Sequence, residues 1–299
     1  MKEKIVNKHA YLIMAHGNWQ ILRRLFILLD DARNDIYLHI DAKIKVFPKD
    51  MHEWIKQSKL TIIEPGEVYW SDFSEFNATL KLMKKAYGGY SYYHLLSGVD
   101  LPIKSKDEIY NFFETSRKEF IGIVPNEVYY SVRRVKFYHP FLHNRIYRKS
   151  IPLKALDRFV EYVQKFCGVN RLKGNDMKII DGWQWFSITD KFCKYILEKE
   201  DDIKKMFSYS IACTELVMQT LAYNSDFIND LYDTTDLKNG SMRFIDWGRG
   251  RPYTWGADEK DFNQLIQSPY MFARKFDEQH FDIVEKIFNE IDRRNHNEQ

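Results

Sequence analysis

The sequence predicts an α/β fold, a mainly parallel central sheet flanked by helices. Two observations carry this. Over the first 125 residues short apolar runs alternate with stretches of helical period, beginning strand, helix, strand. The runs are also short and closed by turn residues, as buried parallel strands are.

In order, residues 9–15 form an apolar run ended by His16-Gly17-Asn18. Apolar positions 21, 22, 25, 26, 28 and 29 then recur at helical spacing, and 35–41 and 60–63 read as the second and third strands. A helix over 74–87, a strand over 92–96 and the turn Ser97-Gly-Val-Asp-Leu-Pro102 follow. Ser105 precedes a helix over 106–115 and stands three residues before Glu108, a capping box. Residues 120–124 read as another strand. Further on come a helix near 156–166, an apolar patch at 183–188, and helices near 190–199, from Thr214, and near 279–292. With no repeat or linker, the chain reads as one domain, a nucleotide-binding half to about 125 and a more irregular acceptor-binding and catalytic half from about 126 to 299. Ligands of open α/β sheets sit at the carboxyl ends of strands, so the segments after 15, 41 and 96 are the first places to look.

Composition narrows the class. The 299 residues are 44% hydrophobic and 29% charged, enough for a core and unlike a disordered chain. A net charge of +3 argues against a binder of long nucleic acid, whose affinity comes largely from neutralising phosphates. Aromatics reach 16%, and flat, polar-edged rings bind sugar faces as well as fill cores. Cys167, Cys193 and Cys213 form no Cys-x-x-Cys and read as buried free thiols of a reducing compartment. Residues 1–8 carry the charge of a signal peptide without its apolar stretch, and the longest wholly apolar run, Ala10–Ala15, falls far short of a membrane span of ~20 residues, as does the aliphatic and aromatic run Leu25–Leu29. A cytoplasmic protein is expected.

Three places could carry chemistry. Thr214 reads as the cap of a helix with Glu215 in its first turn, either an acid suited to the dipole or a general base at a pocket rim. The loop Met242–Gly256 holds Arg249, Arg251, Trp247 and two more glycines, either a solvated hairpin or a fork-like site for phosphate oxygens. Trp183-Gln-Trp185 alternates as a sugar platform requires, though core packing of at least one ring is the simpler fate; Trp70-Ser71 and His94 share that ambiguity. Separately, residues 133–156 hold Arg133, Arg134, Lys136, Arg145, Arg148, Lys149 and Lys154 with no acid, interleaved with aromatics. Such a run suits an anionic membrane surface or a lipid-diphosphate-linked glycan, or is a solvated flap.

Some patterns are missing. No two aspartates stand two positions apart, so there is no Asp-x-Asp to hold a divalent ion at a diphosphate; the nearest substitutes are Glu259-Lys-Asp261 and His39-Ile-Asp41. Nor is there a Gly-x-Gly-x-x-Gly, a P-loop, a His-Glu-x-x-His or a Gly-x-Ser-x-Gly. His139 and His143 are separated by Pro140, which disfavours a shared helical face.

Six segments in order do converge: His9–His16, Ile36–Asp41, Leu96-Ser-Gly-Val-Asp-Leu-Pro-Ile-Lys104, Gly182-Trp-Gln-Trp-Phe-Ser187, Thr214-Glu215 and Phe272-Ala-Arg-Lys-Phe-Asp277. Together they resemble the core-2/I-branching N-acetylglucosaminyltransferases, whose relatives include the peptide O-xylosyltransferases and bacterial members. The resemblance runs from about residue 9 to 290 and implies a GT-A-like fold and an inverting, metal-independent transfer from a UDP-sugar, N-acetylglucosamine first and xylose, galactose or glucose as alternatives. It implies Glu215 as the base, and Lys275 with Arg251 or Arg249 at the diphosphate, Arg251 favoured. By position at the strand ends, Ala15, His16, Asp41 and Ser97 read as the nucleotide pocket, and Trp183 and Trp185 as sugar surfaces, while the resemblance implies Trp247 and Arg134 on the acceptor side. No cofactor is expected beyond the donor. The acceptor is expected to be a glycan hydroxyl, lipid-diphosphate-linked in one reading, in bacterial surface polysaccharide or glycoconjugate synthesis, with peripheral contact at the inner face of the cell membrane. The competing readings are a non-catalytic nucleotide-sugar binder, disfavoured because the base, arginine and lysine positions are filled, and an RNA binder, disfavoured by the charge balance.

Overall fold

A computed structural model describes residues 7–126 and 128–297, so the signal-peptide reading of the N-terminus falls largely outside the described residues. The chain runs β1 (His9–Ala15), α1 (Trp19–Leu29), β2 (Asn34–Ile40), β3 (Lys59–Ile62), α2 (Phe73–Ala86), β4 (Tyr92–Ser97), β5 (Leu101–Pro102), α3 (Lys106–Ser116) and β6 (Phe120–Ile123). It continues through α4 (Tyr129–Lys136), α5 (Ile151–Phe166), β7 (Gly182–Thr189), α6 (Asp190–Glu198), α7 (Glu200–Phe207), α8 (Val217–Tyr223), α9 (Leu237–Ser241), β8 (Arg243–Ile245), α10 (Glu259–Gln267), β9 (Phe272–Arg274) and α11 (Phe281–Asn297).

The main sheet has the order β3-β2-β1-β4-β7-β6. The first four of these strands are parallel, in keeping with their largely buried, mainly apolar runs, and β7 enters antiparallel to both β4 and β6. Two apolar layers cover it. On one face Ile13, Ile36 and Leu38 meet Leu22, Leu25 and Phe26 of α1 and Ile283 and Ile287 of α11; on the other Leu12, Tyr93 and Ile188 meet Leu80 and Met83 of α2 and Phe192 of α6. This is the expected α/β architecture, a central sheet flanked by helices.

Glycine closes the β6–β7 edge. A Cβ at Gly182 would stand 1.9 Å from the Gly122 carbonyl oxygen, so only glycine lets β7 approach here. Nearby, His9 and His94 are not site residues. They lie fully buried in a chain of bonds from Glu114 through His9 to His94 and Ser187, with burial lowering both imidazole pKa values.

Several expectations are corrected. The segment after Ser97 is no simple turn, because Leu101–Pro102 pairs with β9 in a second sheet, β5-β9-β8. The helix placed near 156–166 begins at Ile151, capped by Ser150 with Pro152 in its first turn. Cys167 is exposed, unlike Cys193 and Cys213. Thr214 caps nothing: Cys213–Glu215 is a 3-10 turn entered through Ala212, and the helix starts at Val217.

One buried acid predicts a pH effect. Glu119 accepts from the backbone N–H and the hydroxyl of Thr189, and burial pushes its pKa up to about 7 from 4.5. The folded chain thus keeps a proton that the unfolded chain releases, a contribution to stability complete below pH 4.5 and lost as the pH rises through 7. Glu119→Gln, neutral throughout, should lose this slope, so its Tm should gain on the parent's as the pH rises between those limits.

Candidate active site

The strand ends converge on one cavity of about 550 Å³, a size suited to a small organic ligand. His16 and Gly17 follow β1, Ser97 ends β4 with Gly98 and Val99 after it, Trp183, Gln184 and Trp185 open the antiparallel β7, Ile245 ends β8 with Trp247 beyond it, and Arg274 ends β9. Glu75 of α2, Trp70, Glu215 and Arg251 complete its chemistry.

The turn after β4 is built by Asp100, whose carboxylate accepts from the Ser97 N–H at 2.9 Å and the Ser97 hydroxyl at 2.5 Å. Its Oδ1 also lies 3.5 Å from Arg274 Nε. Arg274 in turn stacks over the Trp185 ring at 4.1 Å. Trp183 and Trp185 share a face of β7 through the two-residue strand period, and Trp185 is the one packed into the core, 8% exposed.

Glu215 is placed by two residues in left-handed backbone. Ala212 (φ 48) donates its N–H to the carbonyl of Ser71 (φ 65) at 2.7 Å, pinning the 3-10 turn against the start of α2. Such backbone, unusual for residues with a side chain, concentrates at functional sites. Buried Arg134 of α4 then clamps the turn, donating to Glu215 Oε2 at 2.8 Å, Asp181 Oδ2 at 3.0 Å and the carbonyls of Ile211 and Ala212 at 3.0 and 2.5 Å. Desolvation raises the pKa of Glu215, Asp181 adds to it, and Arg134 opposes it. Glu75, also on the cavity wall, is raised chiefly by burial and further by the charge of Glu215.

The two candidate arginines of the loop part company. Arg249 is engaged by Asp246 and Asp261, each at 2.6 Å, and lies over Tyr253 at 4.0 Å. Arg251 is exposed and lines the cavity, and among the described residues no carboxylate pairs with it. Lys275 is not in the cavity lining; its backbone bridges Tyr253 and Trp255, and the lining cation beside it is Arg274. Ala15 and Asp41 stand behind the lining. The Ala15 carbonyl accepts from the Asp41 N–H at 3.1 Å, and the Asp41 carboxylate holds Lys43 at 2.9 Å. Half-exposed Trp247 is in the lining, as are His16, Ser97, Trp183 and Trp185; Arg134 reaches it through Glu215. Among the described residues no three His, Cys, Asp or Glu side chains gather into a cation site.

The family model described as Core-2/I-Branching enzyme matches residues 9–266. The chain belongs to the Core-2/I-Branching enzyme family. It is therefore a glycosyltransferase, and the family implies a nucleotide-sugar donor and a glycan acceptor. Mouse xyloside xylosyltransferase 1 in its apo form shares 10% identity at TM-score 0.43, over 90% of this chain and 97% of that one. The apo-form glycosyltransferase GlyE of Streptococcus pneumoniae TIGR4 shares 10% at TM-score 0.24, over 68% of this chain and 44% of that one. Neither likeness bears on the chemistry of the site. No curated protein matches the chain.

Glu75 and Arg274 were not picked out from the sequence. Arg274 stood inside the segment quoted for Lys275, one residue away, and Glu75 had no signal beyond its place in the first turn of a helix.

Proposed function

We propose that this Core-2/I-Branching enzyme inverts the anomeric centre as it moves a sugar, N-acetylglucosamine in the first instance, from UDP to a glycan hydroxyl without a divalent ion. The observation that carries the reading is Glu215 on a cavity wall that also presents Arg251 and Arg274. In a single displacement Glu215 takes the acceptor proton as the hydroxyl attacks the anomeric carbon, and the C1–O bond to UDP breaks on the far side. One carboxylate suffices, since no glycosyl-enzyme forms. The charge developing on the diphosphate meets guanidinium groups already in place. Trp183, Trp185 and Trp247 supply flat surfaces for sugar rings.

A panel of UDP-sugars with and without EDTA, scored for UDP release and transfer, tests this. Turnover of one donor in EDTA is expected, and strict dependence on a divalent ion would overturn the metal-free reading. A bacterial surface-glycan pathway is part of the same proposal and awaits the acceptor.

The electrostatics around Glu215 predict a signed pair of pH shifts. A base must be ionised, so activity falls on the acid side, and burial places that limb above the range of an ordinary glutamate. Arg134→Met removes the cation that favours the carboxylate and should move the limb to higher pH. Asp181→Asn removes an opposing anion and should move it lower. Profiles of kcat/KM measure both, with Tm recorded for each variant.

A further inference from the structure

Helix α5 turns its apolar side to solvent. At 3.6 residues per turn, Ile151, Ala155, Leu156, Phe159, Tyr162, Val163 and Phe166 fall in one arc of roughly 140°. Ile151 is 79% exposed, Phe159 62%, Tyr162 69% and Phe166 87%. A helix on a soluble surface shows the reverse arrangement.

The orientation is fixed by the other face. Asp157, Glu161 and Gln164 are buried. Asp157 meets His139 at 2.9 Å and the Tyr147 hydroxyl at 3.3 Å, Glu161 holds Arg133, and the Gln164 amide exchanges two 2.8 Å bonds with the backbone of Tyr138. The polar residues are thus committed inward, and rotating the helix would strand them.

Charge says what the outer face fits. Between residues 137 and 175 Asp157 and Glu161 are the only acids, and both point in. Lys154, Arg158 and Lys165 are exposed along one border of the apolar arc, with Arg148 and Lys149 exposed just before the helix. We infer that this face seats on an anionic lipid bilayer, α5 lying in the interfacial plane with Phe159, Tyr162 and Phe166 below the headgroups and the lysines and arginines among them. A second copy packed on the same face would bring like charges together around the contact.

The sequence placed membrane contact on the cations of 133–156. Three of those are already paired within the chain, Arg133 with Glu161, buried Arg134 with Asp181 and Glu215, and Arg145 with Glu67 at the surface, so the surface shifts to α5. Lys154 and Arg158 also line a pocket with Trp70, Tyr130 and Arg134, and the last three line a smaller pocket that shares Trp70, Glu75, Gln184 and Glu215 with the main cavity. Seating α5 therefore brings the cleft beside the lipid surface, where a lipid-linked acceptor would arrive. That consequence rests on Glu215 being the base; the seating itself does not.

Sedimentation with phosphatidylglycerol-containing vesicles and with pure phosphatidylcholine vesicles, at low and physiological salt and with no donor present, tests the inference. The parent should bind the anionic vesicles, more at low salt, and the neutral ones weakly. Phe159→Ser with Phe166→Ser should lower the partition at least about tenfold, and Lys165→Glu about fivefold, with Tm and UDP binding unchanged. No binding at either salt, equal binding to both lipids, or binding untouched by the double variant would overturn it. So would a parent dimer in sedimentation velocity that the double variant dissolves, since the face would then belong to a second copy.

Discussion

Glu215→Gln should transfer sugar about 10²–10⁴-fold more slowly while still binding UDP, the loss a missing general base typically brings. The amide matches the carboxylate in shape and its oxygen still accepts from Arg134, which lies 2.8 Å from Oε2. The 3-10 turn and the pocket wall should therefore persist. Transfer assays give the rate, and a UDP thermal shift shows that the donor site is intact. A variant turning over at the parental rate would remove Glu215 as the base; one that loses UDP binding as well would recast it as a binding residue. Glu75→Gln separates the second carboxylate on that wall from the first, since a residue that only shapes the pocket changes KM more than kcat.

Arg251→Met should lower kcat about 10²–10³-fold, the order lost when a donor aimed at a developing negative charge is removed. Arg249→Met is the matched control. Arg249 already ties Asp246 to Asp261, so its loss should appear in Tm, with much less effect on kcat per folded molecule. Equal kcat losses in the two variants would end the distinction. Arg274→Met and Lys275→Met extend the test: the lining of the cavity favours the first, the family resemblance the second.

Much of the sheet was legible in the sequence because β1, β2 and β4 are buried and read as short, mainly apolar runs closed by turn residues. The capping box at Ser105 was legible for a local reason, since both bonds join residues three apart, at 3.1 and 2.7 Å. The second sheet was not, because strands of two and three residues are too short to show a period. Glu215 was found with the wrong local structure: the left-handed turn at Ala212 is stabilised by Ser71 and Arg134, distant partners that no propensity of Thr214 reveals. The cation run misled for the same reason. Counted along the chain it lacks acids, whereas in space Glu161, Asp181, Glu215 and Glu67 come to meet it.

The place of β7 between β4 and β6 bears on how the molecule is made. Strands β1 to β4 can pair as they leave the ribosome, but β6 has no place in the sheet until residues 182–189 arrive to bridge it to β4. Some sixty residues, α4 and α5 among them, must be synthesised while that edge stays open. Contacts so far apart in sequence slow folding and leave an unpaired strand exposed meanwhile. The same strand, once in place, carries Trp183 and Trp185 to the cavity. Completing the sheet thus also delivers one wall of the cavity, which Glu215, Arg251 and Arg274 finish later, and a chain cut before β7 would have neither sheet nor cavity.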